Sequence, residues 1–243
     1  GFTTTGSSVI PDVEVLSHGA LFWRSFTRWV GGMGIIVFVM AILPNVSERP
    51  IHILRAEIPG PTVGKLVPRI KDTALILYLI YIVMTVIETV MLLFGGMSFF
   101  ESLLHTFGTA GTGGFGLKRD SLASYSPYIQ WVITAFMMLF GVNFNLYYLM
   151  LLKKFKAVVT SPELWAYFGI ILSSAALIAW NIRHLFVGTE QTVRTAAFQV
   201  ASVISTTGYA TADFNLWPNF SKNILFILMF IGGCAGSTAG GIK

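Results

Sequence analysis

Charged residues and cysteine are scarce in this sequence. Only 11% of the 243 residues are charged, whereas soluble globular domains carry about 25%. The single cysteine, Cys234, excludes a framework of disulfides within the chain and a metal site made of several cysteines. No methionine or charged leader precedes Gly1, so no signal peptide is visible. These absences argue against a soluble domain and against a disulfide-rich secreted one, and we expect the sequence to be a piece of a longer chain.

Long apolar runs take the place of the missing charges. Apolar residues make up 54% of the chain, and five runs are long enough to cross about 30 Å of hydrocarbon. They lie near residues 19–43, 73–94, 127–152, 164–182 and from 223 onward. The net charge of +5 could indicate nucleic acid, but the basic residues gather in the links 44–72 and 153–156. By the positive-inside rule these links are cytoplasmic, so we expect a multi-pass protein of the inner (plasma) membrane that binds no nucleic acid.

Three short Thr/Gly segments recur between or beside these runs. They are TTTGSS at 3–8, TGGFG at 112–116 and STTGYA at 205–210, called loops 1, 2 and 3 below. Loops 2 and 3 each follow a half-polar stretch, 98–111 and 192–204, that is too short to cross as a helix. Re-entrant helices are the economical interpretation. Non-helical backbone at that depth survives only if protein buries it or it lines a watery path, so the pattern predicts a pore.

Other residues repeat in the register of the three loops. Each loop glycine is followed by an acidic residue (Asp12, Asp120, Asp213), a candidate capping serine (Ser17, Ser126, Ser221) and a glycine interrupting the next span (Gly31, Gly141, Gly232). Together these marks indicate internal duplication. We predict an all-α polytopic membrane protein of tandem repeats around a pore, each repeat being a span, a re-entrant helix, a loop and a second span. Region 1–72 holds a loop, a second span and a cytoplasmic connector, whereas 73–160 and 161–243 are complete repeats.

The loops have the composition of a cation filter. A dehydrated cation needs oxygens from the protein, and glycine lets successive carbonyls face one axis. Threonine hydroxyls can add oxygens, and the partially negative C-terminus of the preceding helix favours a cation. Thr206-Thr207-Gly208-Tyr209 also echoes the T-V-G-Y-G loop of potassium channels, with Ala210 in place of the second glycine. Fewer strict carbonyl sites and a looser choice of potassium over sodium are the expected consequences.

The chain resembles the Trk/Ktr/HKT superfamily of potassium transporters, and most closely its bacterial TrkH-type membrane subunit. The resemblance rests on GFTTTGSS, FWRSFTRWVGGMGIIVF, STTGYATADF and GGCAGSTAGGIK. It implies four repeats around one pore, potassium as substrate, no bound cofactor, a homodimeric membrane part in the lipid bilayer and a cytoplasmic nucleotide-binding regulatory subunit. It implies a filter made of Thr4, Thr5, Gly6, Thr112, Gly113, Gly114, Thr206, Thr207 and Gly208. Loop 2 departs by having Gly113 where the others have threonine, and the family's fourth loop is missing.

The Gly-rich stretch 232–243, called the gate segment below, allows two interpretations. Small residues loosen a helix, but Gly232, Gly236 and Gly240 also have the spacing of closely packed membrane helices. The family resemblance favours a gate below the filter. It implies a gate made of Gly232, Gly233, Gly236, Ser237, Thr238, Gly240 and Gly241.

Several polar residues keep two interpretations each. Asp12, Asp120 and Asp213 form an outer vestibule that concentrates cations, or solvate and cap turns. Glu88 bonds a neighbouring loop or lies on the ion path, with the first favoured. Arg24 and Arg28 satisfy carbonyls at a helix end or extend to the interface. Asn143 and Asn145 line a cavity or join helices.

The sequence gives no support for a catalytic or nucleotide-binding site. Gly111-x-Gly113-x-x-Gly116 matches the dinucleotide pattern, but it follows a re-entrant helix rather than a strand. The four histidines lack ligand spacing, and no catalytic cluster is suggested, so we expect no enzyme. The predicted function is potassium uptake through a pore. The alternative is a broken-helix secondary transporter for another small solute, or mixed sodium and potassium permeation.

Overall fold

The described part of the chain is entirely helical. The computed structural model describes residues 1–6, 13–34 and 70–242, with side chains from residue 74 in the last range. These ranges contain nine α-helices, one short 3₁₀ helix at Phe214–Leu216 and no strand. The α-helices are α1 His18–Gly32, α2 Ile70–Phe94, α3 Phe99–Ala110, α4 Pro127–Phe140, α5 Phe144–Leu151, α6 Phe155–Val159, α7 Pro162–Ile182, α8 Thr189–Ile204 and α9 Asn219–Ile231. The all-α prediction is confirmed.

Two of these helices are long and apolar enough to cross a membrane. They are α2, over Ala74–Phe94, and α7, over Pro162–Ile182. Both expose large apolar side chains such as Leu79, Val86 and Leu172, which only hydrocarbon or further protein could cover favourably. The remaining part of the predicted first span, beyond residue 34, lies outside the described residues, as does the basic link as far as residue 69.

The predicted third span, 127–152, is interrupted at Gly141, as the repeat register predicts. It is broken into α4 and α5, which meet at 88°. Gly141 is the C-cap of α4, and its lack of a side chain leaves room for the Tyr167 hydroxyl, which a Cβ there would overlap. Its carbonyl accepts a hydrogen bond from the N–H of Cys234, 2.9 Å away, instead of continuing the helix. Asn143 then caps α5 by accepting from the N–H of Asn145 at 2.9 Å.

Helices α1, α4 and α9 each end at or next to the glycines that repeat in the register of the loops. Helix α1 ends at Gly32, α4 at Phe140 before Gly141, and α9 at Ile231 before Gly232. Ser17 and Ser126 cap α1 and α4 as predicted. The capping prediction for Ser221 is wrong, because α9 already begins at Asn219 after Pro218. The Ser221 hydroxyl lies inside the helix and donates to Asn181 Oδ1 at 2.8 Å.

The two predicted short helices are present. Helix α3 begins after Ser98, which forms a capping box with Glu101, and α8 begins at Thr189, three residues earlier than expected. At 1.5 Å per residue, their lengths of 12 and 16 residues give about 18 and 24 Å, less than a full crossing. Helix α3 packs against α1 and α2, whereas α8 packs against α4, α7 and α9. Both therefore end inside the protein.

Candidate functional site

The three Thr/Gly loops share one backbone conformation. The glycines have positive φ angles of 80° at Gly6, 61° at Gly114 and 86° at Gly208. The threonines two residues earlier are also left-handed, with φ angles of 53° at Thr4, 47° at Thr112 and 57° at Thr206. Positive φ at a β-branched residue is uncommon and strained, so the surrounding structure must hold it in place.

Hydrogen bonds to the preceding helix hold loops 2 and 3 in this conformation. In loop 2 the carbonyl of Gly108 accepts from the N–H groups of Gly113 and Gly114, at 2.8 and 3.2 Å. In loop 3 the carbonyl of Ser202 accepts from Thr207 and Gly208, at 3.0 and 3.3 Å. Each acceptor lies six positions before its loop glycine. The two loops are therefore copies of one structure.

The three loop glycines meet at one cavity. Gly6, Gly114 and Gly208 all line a space of about 560 Å³. A Cβ at Gly6 would lie 3.4 Å from the carbonyl oxygen of Gly113, and a Cβ at Gly114 would overlap the carbonyl oxygen of Thr207. Backbone of one loop thus contacts backbone of the next. The order around the cavity is loop 1, loop 2, loop 3.

In loops 1 and 3, the threonine directly before the loop glycine uses its hydroxyl within its own loop. Thr5 Oγ1 lies 2.9 Å from Thr3 Oγ1, and Thr207 Oγ1 lies 2.7 Å from Ser205 Oγ. Loop 2 has glycine at both matching positions, 111 and 113. Its departure from the pattern therefore removes a hydrogen bond inside the loop.

Arg28 explains why loop 2 has a glycine at position 113. A Cβ on Gly113 would overlap the guanidinium of Arg28. The Arg28 side chain is only 1% exposed, and its guanidinium carbon lies 3.2 Å from the ring centre of Phe115. Arg24 lies over the same ring at 3.5 Å. The predicted extension to the membrane surface is wrong for Arg28, which is packed against the loops.

The ends of α3 and α8 add negative partial charge beside the cavity. Helix α3 ends at Ala110 and α8 at Ile204, two residues before the left-handed threonines. The last carbonyls of a helix lack intrahelical partners and carry the negative end of the helix dipole. Carbonyl groups and helix C-termini suit a monovalent cation and disfavour an anion.

Tyr209 of loop 3 joins this loop to α3 and loop 2. Its hydroxyl, fully buried, donates to the carbonyl oxygen of His105 at 3.1 Å and approaches that of Phe115 at 3.4 Å. Gly108 leaves room for it, because a Cβ there would overlap the hydroxyl. In the sequence, Tyr209 stands out only as part of the channel-like motif, and nothing there predicts this contact.

The gate segment lies against the first threonines of loops 2 and 3. Thr112 Oγ1 donates to the carbonyl of Thr238 at 2.9 Å, and the N–H of Gly240 donates to Thr206 Oγ1 at 2.8 Å. The segment reverses on three left-handed glycines, Gly232, Gly236 and Gly241. All seven residues that the family resemblance assigned to the gate lie in this turn, namely Gly232, Gly233, Gly236, Ser237, Thr238, Gly240 and Gly241.

The break between α4 and α5 also holds the gate segment. The Gly236 carbonyl accepts from the N–H of Phe144 at 3.0 Å, and the Thr238 hydroxyl donates to the carbonyl of Phe140 at 3.2 Å. Asn143 lies close to Gly236, as a Cβ there would be 3.1 Å from Asn143 Oδ1. Asn143 thus starts α5 beside the gate segment, whereas Asn145 only donates its N–H to that cap.

Other predicted residues are less directly placed. Asp213 Oδ1 accepts from the N–H and side chain of Asn215, as in the turn-capping interpretation. Asp120 is exposed and Asp12 lies outside the described residues, so the acidic vestibule stays a prediction. Glu88 is fully buried on α2, and neither carboxylate oxygen has a hydrogen-bond partner among the described residues. The described part of the chain holds no His, Cys, Asp and Glu cluster suited to a metal.

Comparison with known proteins places the chain in a family. The family model TrkH, described as a cation transport protein, matches residues 1–173 and 171–243. The Trk system potassium uptake protein TrkH of Escherichia coli K12 is 37% identical over 249 residues, covering 100% of this chain and 51% of that protein. TrkI of Halomonas elongata is 32% identical over 245 residues, covering 99% of this chain and 49% of that protein.

A solved structure agrees with these sequence relatives. The crystal structure of the potassium transporter TrkH from Vibrio parahaemolyticus matches with a TM-score of 0.83 and 32% identity, covering 100% of this chain and 50% of that one. The chain spans about half the length of the curated relatives it matches. The matches extend over the helices and loops described above, and the chain belongs to the TrkH family of cation transport proteins.

Proposed function

We propose that the chain forms three walls of a pore for potassium uptake across the inner membrane. The observation that carries the proposal is the repeated loop: Gly6, Gly114 and Gly208 share one backbone conformation and line one cavity. Relatives that match the whole chain are named potassium uptake proteins. A fourth loop, implied by the family resemblance, would close the ring.

In this proposal the loops replace the water around the ion. Carbonyl oxygens such as that of Thr207, which lies against Gly114, offer the ligands, and the C-termini of α3 and α8 stabilise the positive charge. Because loop 3 carries Ala210 in place of the channel motif's second glycine, we expect less stringent discrimination against sodium than in potassium channels.

The gate segment would control flux at the inner end of the loops. Its backbone is hydrogen-bonded to Thr112 and Thr206, so it lies directly beside the first threonines of two loops. Small residues without bulky side chains allow such a segment to change conformation. The homodimer and the nucleotide-binding regulatory subunit stay predictions from the family resemblance.

A broken-helix transporter for an anionic solute fits the site less well. Such proteins point the N-termini of half-helices at the substrate. Here the C-termini of α3 and α8 lead into the cavity. Mixed permeation of sodium and potassium remains compatible with the same loops and is decided by the test below.

Replacing Gly208 with serine is expected to weaken the preference for potassium over sodium. The serine would have to adopt a φ of 86°, yet its Cβ would contact nothing within 4 Å. Strain of about 1–2 kcal/mol would distort loop 3 without a steric clash. Rubidium uptake in competition with sodium, measured on the complete gene product in an uptake-deficient bacterium, tests this.

Gly169→Ser in α7 is the matched control. A Cβ at Gly169 also meets nothing within 4 Å, but its φ is not left-handed and it lies far from the loops in sequence. The control should keep the wild-type preference. An unchanged preference in Gly208→Ser, with normal protein amounts, would show that loop 3 is not part of the filter.

Removing the Tyr209 hydroxyl is expected to lower both stability and selectivity. Tyr209→Phe removes one of the donors to the buried carbonyl of His105, which also accepts from the Thr109 hydroxyl, at a cost of about 0.5–1.5 kcal/mol. Tyr167→Phe is the control for the ion preference, because its hydroxyl donates to the Met138 carbonyl at 3.2 Å and lies beside Gly141 rather than beside the loops. The midpoint temperature of thermal unfolding in detergent should fall in both variants. The preference for potassium over sodium should change only in Tyr209→Phe. An equal change of the potassium preference in Tyr209→Phe and Tyr167→Phe would contradict a specific role for Tyr209.

A further inference from the structure

A carboxylate from another helix contacts the gate segment. Glu163, near the start of α7, accepts a hydrogen bond from the N–H of Ala235 through Oε1, at 2.6 Å. The two residues are 72 positions apart. A charged acceptor makes shorter bonds, roughly twice as strong as neutral ones. This contact is therefore among the strongest that hold the segment.

The position of Glu163 leaves its side chain available for this role. Ser161 already caps α7, since its hydroxyl accepts from the N–H of Leu164 at 3.5 Å. A negative charge in the first turn also suits the helix dipole. Helix α7 follows the basic residues at 153–156, which the positive-inside rule assigns to the cytoplasm. The contact thus reaches the gate segment from its cytoplasmic side.

The gate segment depends on such bonds because it has few side chains with which to pack. Ala235 is followed by Gly236, whose φ is 69°, and the hydroxyl groups of Thr112 and Thr206 make hydrogen bonds to the backbone of the segment. Cys234 and Ala239 are buried, but such small side chains gain less from apolar burial than large ones. Losing the hydrogen bond to Glu163 should therefore shift the segment measurably.

We propose that Glu163 is a positioning residue that holds the gate segment in the arrangement seen here. The proposal rests on the gate assignment made above. When the bond between Glu163 and Ala235 breaks, the segment becomes free to leave the loops, and basal potassium flux rises. Glu163 contacts no ion, so the choice between potassium and sodium is unaffected.

The chain contains its own reporter for this movement. Cys234, its only cysteine, precedes Ala235 and is 3% exposed. In the complete gene product, a small membrane-permeant thiol reagent should modify Cys234 about tenfold faster in Glu163→Ala than in the wild type. Glu163→Gln keeps an acceptor oxygen and should stay much closer to the wild-type rate. A Cys234→Ser background subtracts any other thiol.

Transport is measured on the same proteins. Rubidium flux per molecule should rise about tenfold in Glu163→Ala, with an unchanged preference for potassium over sodium. Glu190→Ala is the matched control, because Glu190 occupies the same helix position in α8 but binds Trp131 and Arg194. If alanine lowers the amount of protein in the membrane, Glu163→Asp, which cannot reach Ala235 in the same geometry, should show the same increases.

Two results would overturn the proposal. One is a Cys234 modification rate in Glu163→Ala and Glu163→Asp equal to that of the wild type and of Glu190→Ala. The other is a Glu163→Gln variant as reactive as Glu163→Ala, because the hydrogen bond would then not be what holds the segment. Faster Cys234 modification without any change in flux would support the positioning role and refute the gate assignment instead.

Discussion

Replacing Gly114 with alanine is expected to abolish potassium uptake while leaving the protein in the membrane. Gly114 has a φ of 61°, which an alanine adopts only with strain of about 1–2 kcal/mol. In addition, its Cβ would overlap the carbonyl oxygen of Thr207 and lie 2.9 Å from the carbonyl carbon of Gly208. Loop 3 would have to move away, and the ring of carbonyls would lose its geometry.

The matching substitution in loop 3 separates strain from overlap. Gly208 has the more positive φ, 86°, but a Cβ there meets nothing within 4 Å. Gly208→Ala should therefore keep measurable rubidium uptake with a weakened preference for potassium, whereas Gly114→Ala should show none. Protein amounts in the membrane normalise both values. Equal uptake in the two variants would contradict the contact between loops 2 and 3.

The repeat could be predicted from the sequence because it depends on glycine spacing. Gly6, Gly114 and Gly208 occupy matching places in three apolar contexts, and the structure gives all three left-handed φ angles. The same register located the helix ends near Gly141 and Gly232. A glycine in an apolar run indicates a backbone conformation that other residues adopt only with strain. Because this is a local property, a single sequence is enough to predict the repeat.

Contacts between distant residues could not be predicted in the same way. Tyr209 bonds to a carbonyl 104 positions earlier, and Glu163 bonds to an amide 72 positions later. Nothing in the local pattern of either residue indicates its partner. Gly113 could have given a hint, since a second glycine in loop 2 signals a close neighbour, which the structure identifies as Arg28.

The capping serine shows a second limit of the sequence pattern. Ser221 keeps the register of Ser17 and Ser126, yet Pro218 starts α9 earlier and the serine bonds to Asn181. Proline suits the beginning of a helix, and here it outweighs the repeat. The bend of 88° after α4 was also missed, because it depends on how the gate segment binds the carbonyl of Gly141.

Replacing Thr112 with valine is expected to raise basal potassium flux about 5- to 150-fold, which corresponds to about 1–3 kcal/mol. The Thr112 side chain is 2% exposed, and its hydroxyl donates to the carbonyl of Thr238 in the gate segment. Valine keeps the shape and the β-branch, so the backbone strain at a φ of 47° is similar. The buried carbonyl of Thr238 loses this donor, and the arrangement seen here becomes less stable. Rubidium flux per molecule measures the change.

Valine substitutions at the matching threonines of loops 3 and 1 are the controls for Thr112→Val. Thr206→Val removes the acceptor for the more exposed N–H of Gly240 and should raise flux by a smaller factor. No hydrogen bond joins Thr4 to residues 232–242 in the described ranges, so Thr4→Val should not raise basal flux. If the three threonines served only as ion ligands, all three variants would instead lower uptake alike.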